Sequence, residues 1–160
     1  MKIKEGDCFP EVSLYTMSNN GPISIKTSEL FNDKKVVLVS VPGAFTPTCS
    51  EEHLPGYIKI KKEFFSSGID KICFVSVNDP FVMKEWGKQF NETDIDFLAD
   101  SYGEIMEKLG TTLDLTSVGL GKRLSRFAII IDNGLVMKIF DENGGGLESS
   151  RADIVLQSIK

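Results

Sequence analysis

Apolar residues follow two rhythms along this chain. In the first they run almost without a break. Val36-Val37-Leu38-Val39-Ser40-Val41 and Ile72-Cys73-Phe74-Val75-Ser76-Val77 have the composition of strands buried on both faces. Phe127–Ile131 and Leu135–Phe140 are similar runs on either side of Asp132-Asn133-Gly134. An Asn-Gly between two such runs is the strongest short signal for a hairpin. A weaker hairpin is expected from Val12–Tyr15 and Ile23–Ile25 around Asn19-Asn20-Gly21. In the second rhythm apolar positions recur every three or four residues. Leu54, Tyr57, Ile58, Phe64 and Phe65 do so, with Lys61 as the polar interruption and Gly68 as the stop. Pro80–Phe90 reads as a helix with Asp79 as N-cap and Pro80 at the first helical position. Further helices are expected over Tyr102–Leu109, ended by Gly110, and over Ala152–Ile159.

Strand, helix, strand, helix and then an antiparallel hairpin is the order of an α/β protein whose mixed sheet carries helices on both faces. A thioredoxin-like fold requires this order, and other α/β folds share it. With 160 residues and neither repeat nor linker, residues 1–160 are expected to form a single domain. The composition, 41% apolar and 26% charged, is that of a folded domain rather than a disordered chain. A net charge of −5 with no basic stripe argues against nucleic acid as a partner. The N-terminus, MKIKEGDCFP, has no apolar core of signal-peptide length, and no run suits a bilayer span, so a cytoplasmic location with no membrane association is expected.

Three cysteines (Cys8, Cys49, Cys73), no CxxC and a lone histidine, His53, exclude a disulfide scaffold, a zinc ribbon and an HExxH metal site. Cys49 has an unusual setting. Pro42-Gly43 ends the first buried strand, and Thr46-Pro47-Thr48-Cys49 follows. Thr46 is an N-cap candidate and Pro47 suits the first helical position, which places Cys49 at the third. Free N–H groups and the positive end of the helix dipole surround such a side chain and favour a thiolate over a thiol. The carboxyl end of a buried strand is also where open α/β sheets form their crevices. Glu51 and Glu52 oppose a nearby anion, so a cation from elsewhere in the chain is needed. A free cysteine is more often a small buried hydrophobe, and Cys8 and Cys73 keep that reading.

The segment Pro42-Gly43-Ala44-Phe45-Thr46-Pro47-Thr48-Cys49-Ser50, with His53-Leu54-Pro55-Gly56 after it, resembles the active-site signature of peroxiredoxins. Ser76–Trp86 (SVNDPFVMKEW), Arg123–Phe127 (RLSRF) and the Gly-Gly-Gly-Leu at Gly144–Leu147 are similar to the peroxiredoxin-5 (type II) subfamily. The resemblance implies a thioredoxin-like fold and a thiol-dependent peroxidase that needs no cofactor or metal. It implies that Cys49 is the peroxidatic cysteine and that Thr46 orients peroxide and thiolate. It implies that Pro42 shields the pocket and that Arg126, rather than its neighbour Arg123, supplies the cation. Substrates would be hydrogen peroxide and organic hydroperoxides, and relatives are commonly homodimers. His53 matches a family position, and a packed helix residue and an influence on the site are equally open readings of it.

Some relatives carry a resolving cysteine after the C-terminal Gly-x-Gly-Leu, where this chain reads Leu147-Glu148-Ser149-Ser150. Others carry one in the strand before SVND. There the family position aligns with Phe74, so Cys73 is offset by one residue and faces the other way. A one-cysteine cycle is therefore expected, re-reduced by glutathione with a glutaredoxin, or by thioredoxin. A thiol–disulfide oxidoreductase would need the absent CxxC. A non-catalytic redox sensor or holdase using Cys49 is the alternative from another class.

Overall fold

The four apolar runs become four adjacent strands of one sheet. The structure, a computed structural model, describes all 160 residues. Strand β3 (Lys35–Ser40) lies parallel to β4 (Lys71–Ser76) and antiparallel to β8 (Phe127–Asp132), which pairs in turn with β9 (Leu135–Asp141). At the β8–β9 turn Asn133 and Gly134 have φ of 48° and 81°. These positive values are what a two-residue turn matched to strand twist demands, and Asn-Gly adopts them at low steric cost. The N-terminal hairpin also forms, as β1 (Ser13–Ser18) and β2 (Gly21–Lys26), longer than the apolar residues indicated.

Strand β5 (Ile95–Ala99) was not expected, and it completes the seven-stranded order β2-β1-β5-β4-β3-β8-β9. Asp96 interrupts its apolar run, and Lys71 of β4 meets that carboxylate at 2.7 Å. A separate two-stranded ribbon, β6 (Thr112–Leu115) with β7 (Gly121–Leu124), lies just before β8. The helices are α1 (Thr27–Phe31), α2 (Leu54–Ser66), α3 (Pro80–Gln89), α4 (Glu104–Leu109) and α5 (Ala152–Gln157). The last two are shorter than the Tyr102–Leu109 and Ala152–Ile159 expected. Asp79 caps α3 by accepting from the Val82 N–H at 3.0 Å.

Alternation along the central strands divides the core in two. Val37, Val39 and Phe74 face α2, α3 and α5, and this layer includes Cys49. Val36, Leu38 and Cys73 face α1, α4 and the N-terminal segment. The expected mixed sheet with helices on both faces is therefore present, and Cys49 and Cys73 lie on opposite sides of it. No helix is long and apolar enough to cross a membrane.

Candidate active site

Beyond β3 the chain turns at the buried Pro42 and becomes helical at Pro47, where the pattern of residues placed it. The Ser50 N–H closes the first turn on the Thr46 carbonyl at 3.0 Å. The expected cap does not form. The Thr46 hydroxyl donates to the Gly43 carbonyl at 2.7 Å. The turn of the chain at Pro42-Gly43 brings that carbonyl within reach, and it accepts the hydroxyl's hydrogen bond. Cys49–His53 then forms a π-helical turn, with the Leu54 N–H on the Cys49 carbonyl, before α2 begins. Such wide turns recur at functional sites because they rotate side chains out of α-helical register.

Cys49 is 1% exposed. Arg126, in the residue pair that precedes β8, donates an Nη2–H to it at 3.3 Å. Arg126 is itself buried, at 2% exposure, so bulk water and salt do little to screen its charge. Glu51 and Glu52, the carboxylates that could have opposed an anion, face solvent. Arg123 serves another part of the site. Its Nε–H goes to the Leu120 carbonyl at 2.7 Å and an Nη1–H goes to the Pro42 carbonyl at 3.3 Å. Asn78 clamps the same loop, its Oδ1 accepting from the Ala44 N–H at 2.9 Å. The structure thus brings Pro42, Thr46, Cys49 and Arg126 to one corner of the molecule.

His53 is buried beside Arg126, an arrangement no spacing in the sequence signals. Its Nδ1 accepts from Arg126 Nη1–H at 2.9 Å, and its Nε2 lies 3.0 Å from the Ser150 carbonyl oxygen. A guanidinium only donates and a carbonyl only accepts, so the ring is neutral with its proton on Nε2. The Tyr57 hydroxyl donates to the same carbonyl at 2.9 Å, and burial holds that phenol well above its ordinary pKa. Glu142 Oε1 accepts from the Ser150 N–H and hydroxyl at 2.7 and 2.8 Å. Burial raises the Glu142 carboxyl, but donors from Ser150, Glu148 and Ser149 outweigh it and leave the pKa lowered.

Burial first, and the Arg126 charge second, push the His53 imidazole down to about 3, against smaller pulls from the Ser150 carbonyl and the Glu142 carboxylate. The consequence for stability has a definite sign. An unfolded histidine protonates near pH 6.5, whereas the folded one does not until about pH 3, so acid favours the unfolded chain throughout that window. Each unit of displacement is worth about 1.4 kcal/mol, so acidification from pH 6.5 to 4 removes about 3 kcal/mol through His53. Chemical denaturation of the protein and of His53→Asn at several pH values measures this. The variant is expected to lose less stability across the window, and parallel curves would refute the assignment.

The likenesses to known proteins agree with this geometry. The Redoxin family model matches residues 4–156. Peroxiredoxin-2D of Arabidopsis thaliana is 43% identical over 159 residues, covering 98% of each chain. Among solved structures, reduced Prx3 of Vibrio vulnificus in complex with hydrogen peroxide is 42% identical, covers 99% of each chain and superposes with a TM-score of 0.94. The antioxidant protein of Plasmodium falciparum, a 1-Cys peroxiredoxin, is 31% identical over 98% of each chain, with a TM-score of 0.91. These similarities span nearly the whole sequence, and with a buried thiol set against a buried guanidinium at a strand end of a thioredoxin-like sheet, they establish that the chain belongs to the peroxiredoxins, the thiol-dependent peroxidases of the redoxin family.

Proposed function

We propose that Cys49 is the peroxidatic nucleophile of this peroxidase and that Arg126, Thr46 and Pro42 complete its site. The observation that carries the assignment is the Arg126 Nη2–H donated to the Cys49 sulfur at 3.3 Å, with both groups buried. The thiolate attacks one oxygen of hydrogen peroxide or an organic hydroperoxide. An S–O bond forms as the O–O bond breaks, sulfur is oxidised by two electrons, and hydroxide or alkoxide leaves. The product is the sulfenic acid, the first and reversible stage of thiol oxidation. Arg126 offsets the charge that grows on the leaving oxygen, as donors do in an oxyanion site. Because the Thr46 hydroxyl donates its hydrogen bond to the Gly43 carbonyl, its lone pairs are free to accept from the O–H of a bound peroxide. Pro42, buried and without an N–H, shields the pocket.

The cycle proposed uses a single cysteine, in one domain comprising the whole chain. Cys73 is fully buried on the far side of the sheet, and burial pushes its thiol strongly upward in pKa, which keeps it protonated and unreactive. The 1-Cys character of the Plasmodium relative favours the same reading. Glutathione, delivered with a glutaredoxin, then condenses with the sulfenic acid, releasing water. A second thiol reduces the mixed disulfide. Thioredoxin is the competing reductant. Homodimer formation and cytoplasmic residence belong to the same proposal, the latter on the sparse cysteine content.

Peroxide consumption measured side by side with glutathione/glutaredoxin and with thioredoxin tests the reductant. Sustained turnover with the first is expected, and turnover only with thioredoxin would overturn that choice. A protein oxidised once and not recycled by either system would instead act as a sensor. Cys73→Ser is expected to keep most of the activity, and non-reducing peptide mapping after peroxide is expected to show no Cys49–Cys73 bridge. Finding that bridge would end the one-cysteine cycle.

A further inference from the structure

An arginine side chain has five N–H bonds and no acceptor, so its use to a leaving oxygen depends on where those bonds point. Arg126 commits three of them. Nε–H goes to the Gly145 carbonyl at 3.2 Å, one Nη1–H to His53 Nδ1 at 2.9 Å, and one Nη2–H to the Cys49 sulfur at 3.3 Å. One N–H on each terminal nitrogen is left without a protein partner. Gly145 and His53 grip two corners of a planar group, and two such contacts define where the remaining N–H bonds aim.

His53 is in turn held by the loop that grips Arg126. Its Nε2–H bonds to the Ser150 carbonyl, and Ser150 is anchored by Glu142 through two hydrogen bonds. The Glu142 N–H donates to the Arg126 carbonyl at 3.1 Å, and the Arg126 N–H to the Gly144 carbonyl at 2.7 Å. Backbone of Arg126, loop 142–150, imidazole and guanidinium therefore form a closed ring of contacts. We propose that His53 is a positioning residue of the peroxidase. By accepting from Nη1 with a ring whose tautomer the Ser150 carbonyl locks, it holds Arg126 in the plane that presents free N–H bonds to the oxygen departing from Cys49. The inference rests on the assignment of Cys49 and Arg126 above.

Two substitutions divide the imidazole's hydrogen bonds. His53→Asn places an acceptor where Nδ1 stands and gives up the Ser150 contact. His53→Gln reaches the Ser150 carbonyl and gives Arg126 nothing. Quenched-flow oxidation by hydrogen peroxide, alkylation by iodoacetamide and thermal melting are measured on both variants and on the unmodified protein. Alkylation needs a sulfur anion but no aimed donor for a departing oxygen, so it separates aiming from general damage to the site. The Asn variant is expected within about threefold of the unmodified protein in peroxide rate, and the Gln variant about tenfold or more below it, with alkylation nearly unchanged. Equal rates in the two variants, or peroxide and alkylation rates falling together, would overturn the positioning role.

A measurement on the unmodified protein covers the case in which a variant fails to fold. The nitrogen-15 spectrum of its lone imidazole is expected to show an unprotonated, hydrogen-bonded Nδ1, and a protonated Nδ1 would refute the arrangement. An unmodified protein whose Cys49 ignores peroxide would defeat the assignment of the nucleophile itself. A reactive protein whose Gln variant is unaffected would defeat only the role of His53.

Discussion

Cys49→Ser is expected to lower peroxide turnover by at least about a thousandfold, to the background of the uncatalysed reaction, with little change in melting temperature. The substitution exchanges one atom in a buried position. The serine oxygen can still accept from Arg126, so the hydrogen-bond ring around it persists. What disappears is the sulfur, the one atom of the site nucleophilic enough to attack an O–O bond. The other two thiols offer no substitute. Cys73 is sealed on the opposite face of the sheet, and Cys8, though exposed, has no arginine hydrogen-bonded to its sulfur. Steady-state peroxide consumption with a matched melting curve measures the effect. Activity retained above about a tenth would require another nucleophile.

The second large effect is expected at Arg126. Arg126→Met keeps much of the buried volume and removes the donors, and the peroxide rate should fall about a hundredfold to a thousandfold, the range seen when a preorganised charge-stabilising donor is lost. Stability should fall as well, because His53 Nδ1 is left buried without a donor, at about 1–3 kcal/mol for such an orphaned group. Arg126→Lys restores the charge but not the planar fork, and one ammonium cannot hold Gly145, His53 and the sulfur together. Its peroxide rate is expected to stay about tenfold or more below that of the unmodified enzyme. A lysine variant of full activity would mean that charge alone suffices and that geometry at this position is irrelevant. Circular dichroism at the assay temperature guards against mistaking unfolding for lost chemistry.

The legible and the hidden parts of this protein differ in physical character. The β3, β4, β8 and β9 runs were readable because strands buried on both faces must be apolar throughout, and the Asn133-Gly134 turn because few other residues tolerate its backbone. Strand β5 was hidden because Asp96 breaks its apolar pattern, and the β6–β7 ribbon because its strands are short and half polar. The setting of Cys49 was readable in outline from local rules that place Pro47 and start the helix. Local rules failed at Thr46, whose hydroxyl found the Gly43 carbonyl instead of a helix N–H. The grip of His53 on Arg126 joins residues 73 apart in the chain, and that of Ser150 on His53 joins residues 97 apart. Contacts of that separation leave no trace in spacing or composition, so the histidine could be noticed but not given a partner.

Exposure and electrostatic setting point to different cysteines in this molecule. By exposure Cys8 should be oxidised first, whereas by electrostatic setting the nearly inaccessible Cys49 should be. The direct test is to treat the reduced protein with a limiting amount of hydrogen peroxide in the presence of dimedone, which captures sulfenic acids, and to map the labelled peptide by mass. The adduct is expected on Cys49 ahead of Cys8. Labelling that favours Cys8, or a Cys49 peptide that stays unlabelled while peroxide is consumed, would contradict the claim that a buried arginine makes this sulfur the reactive one.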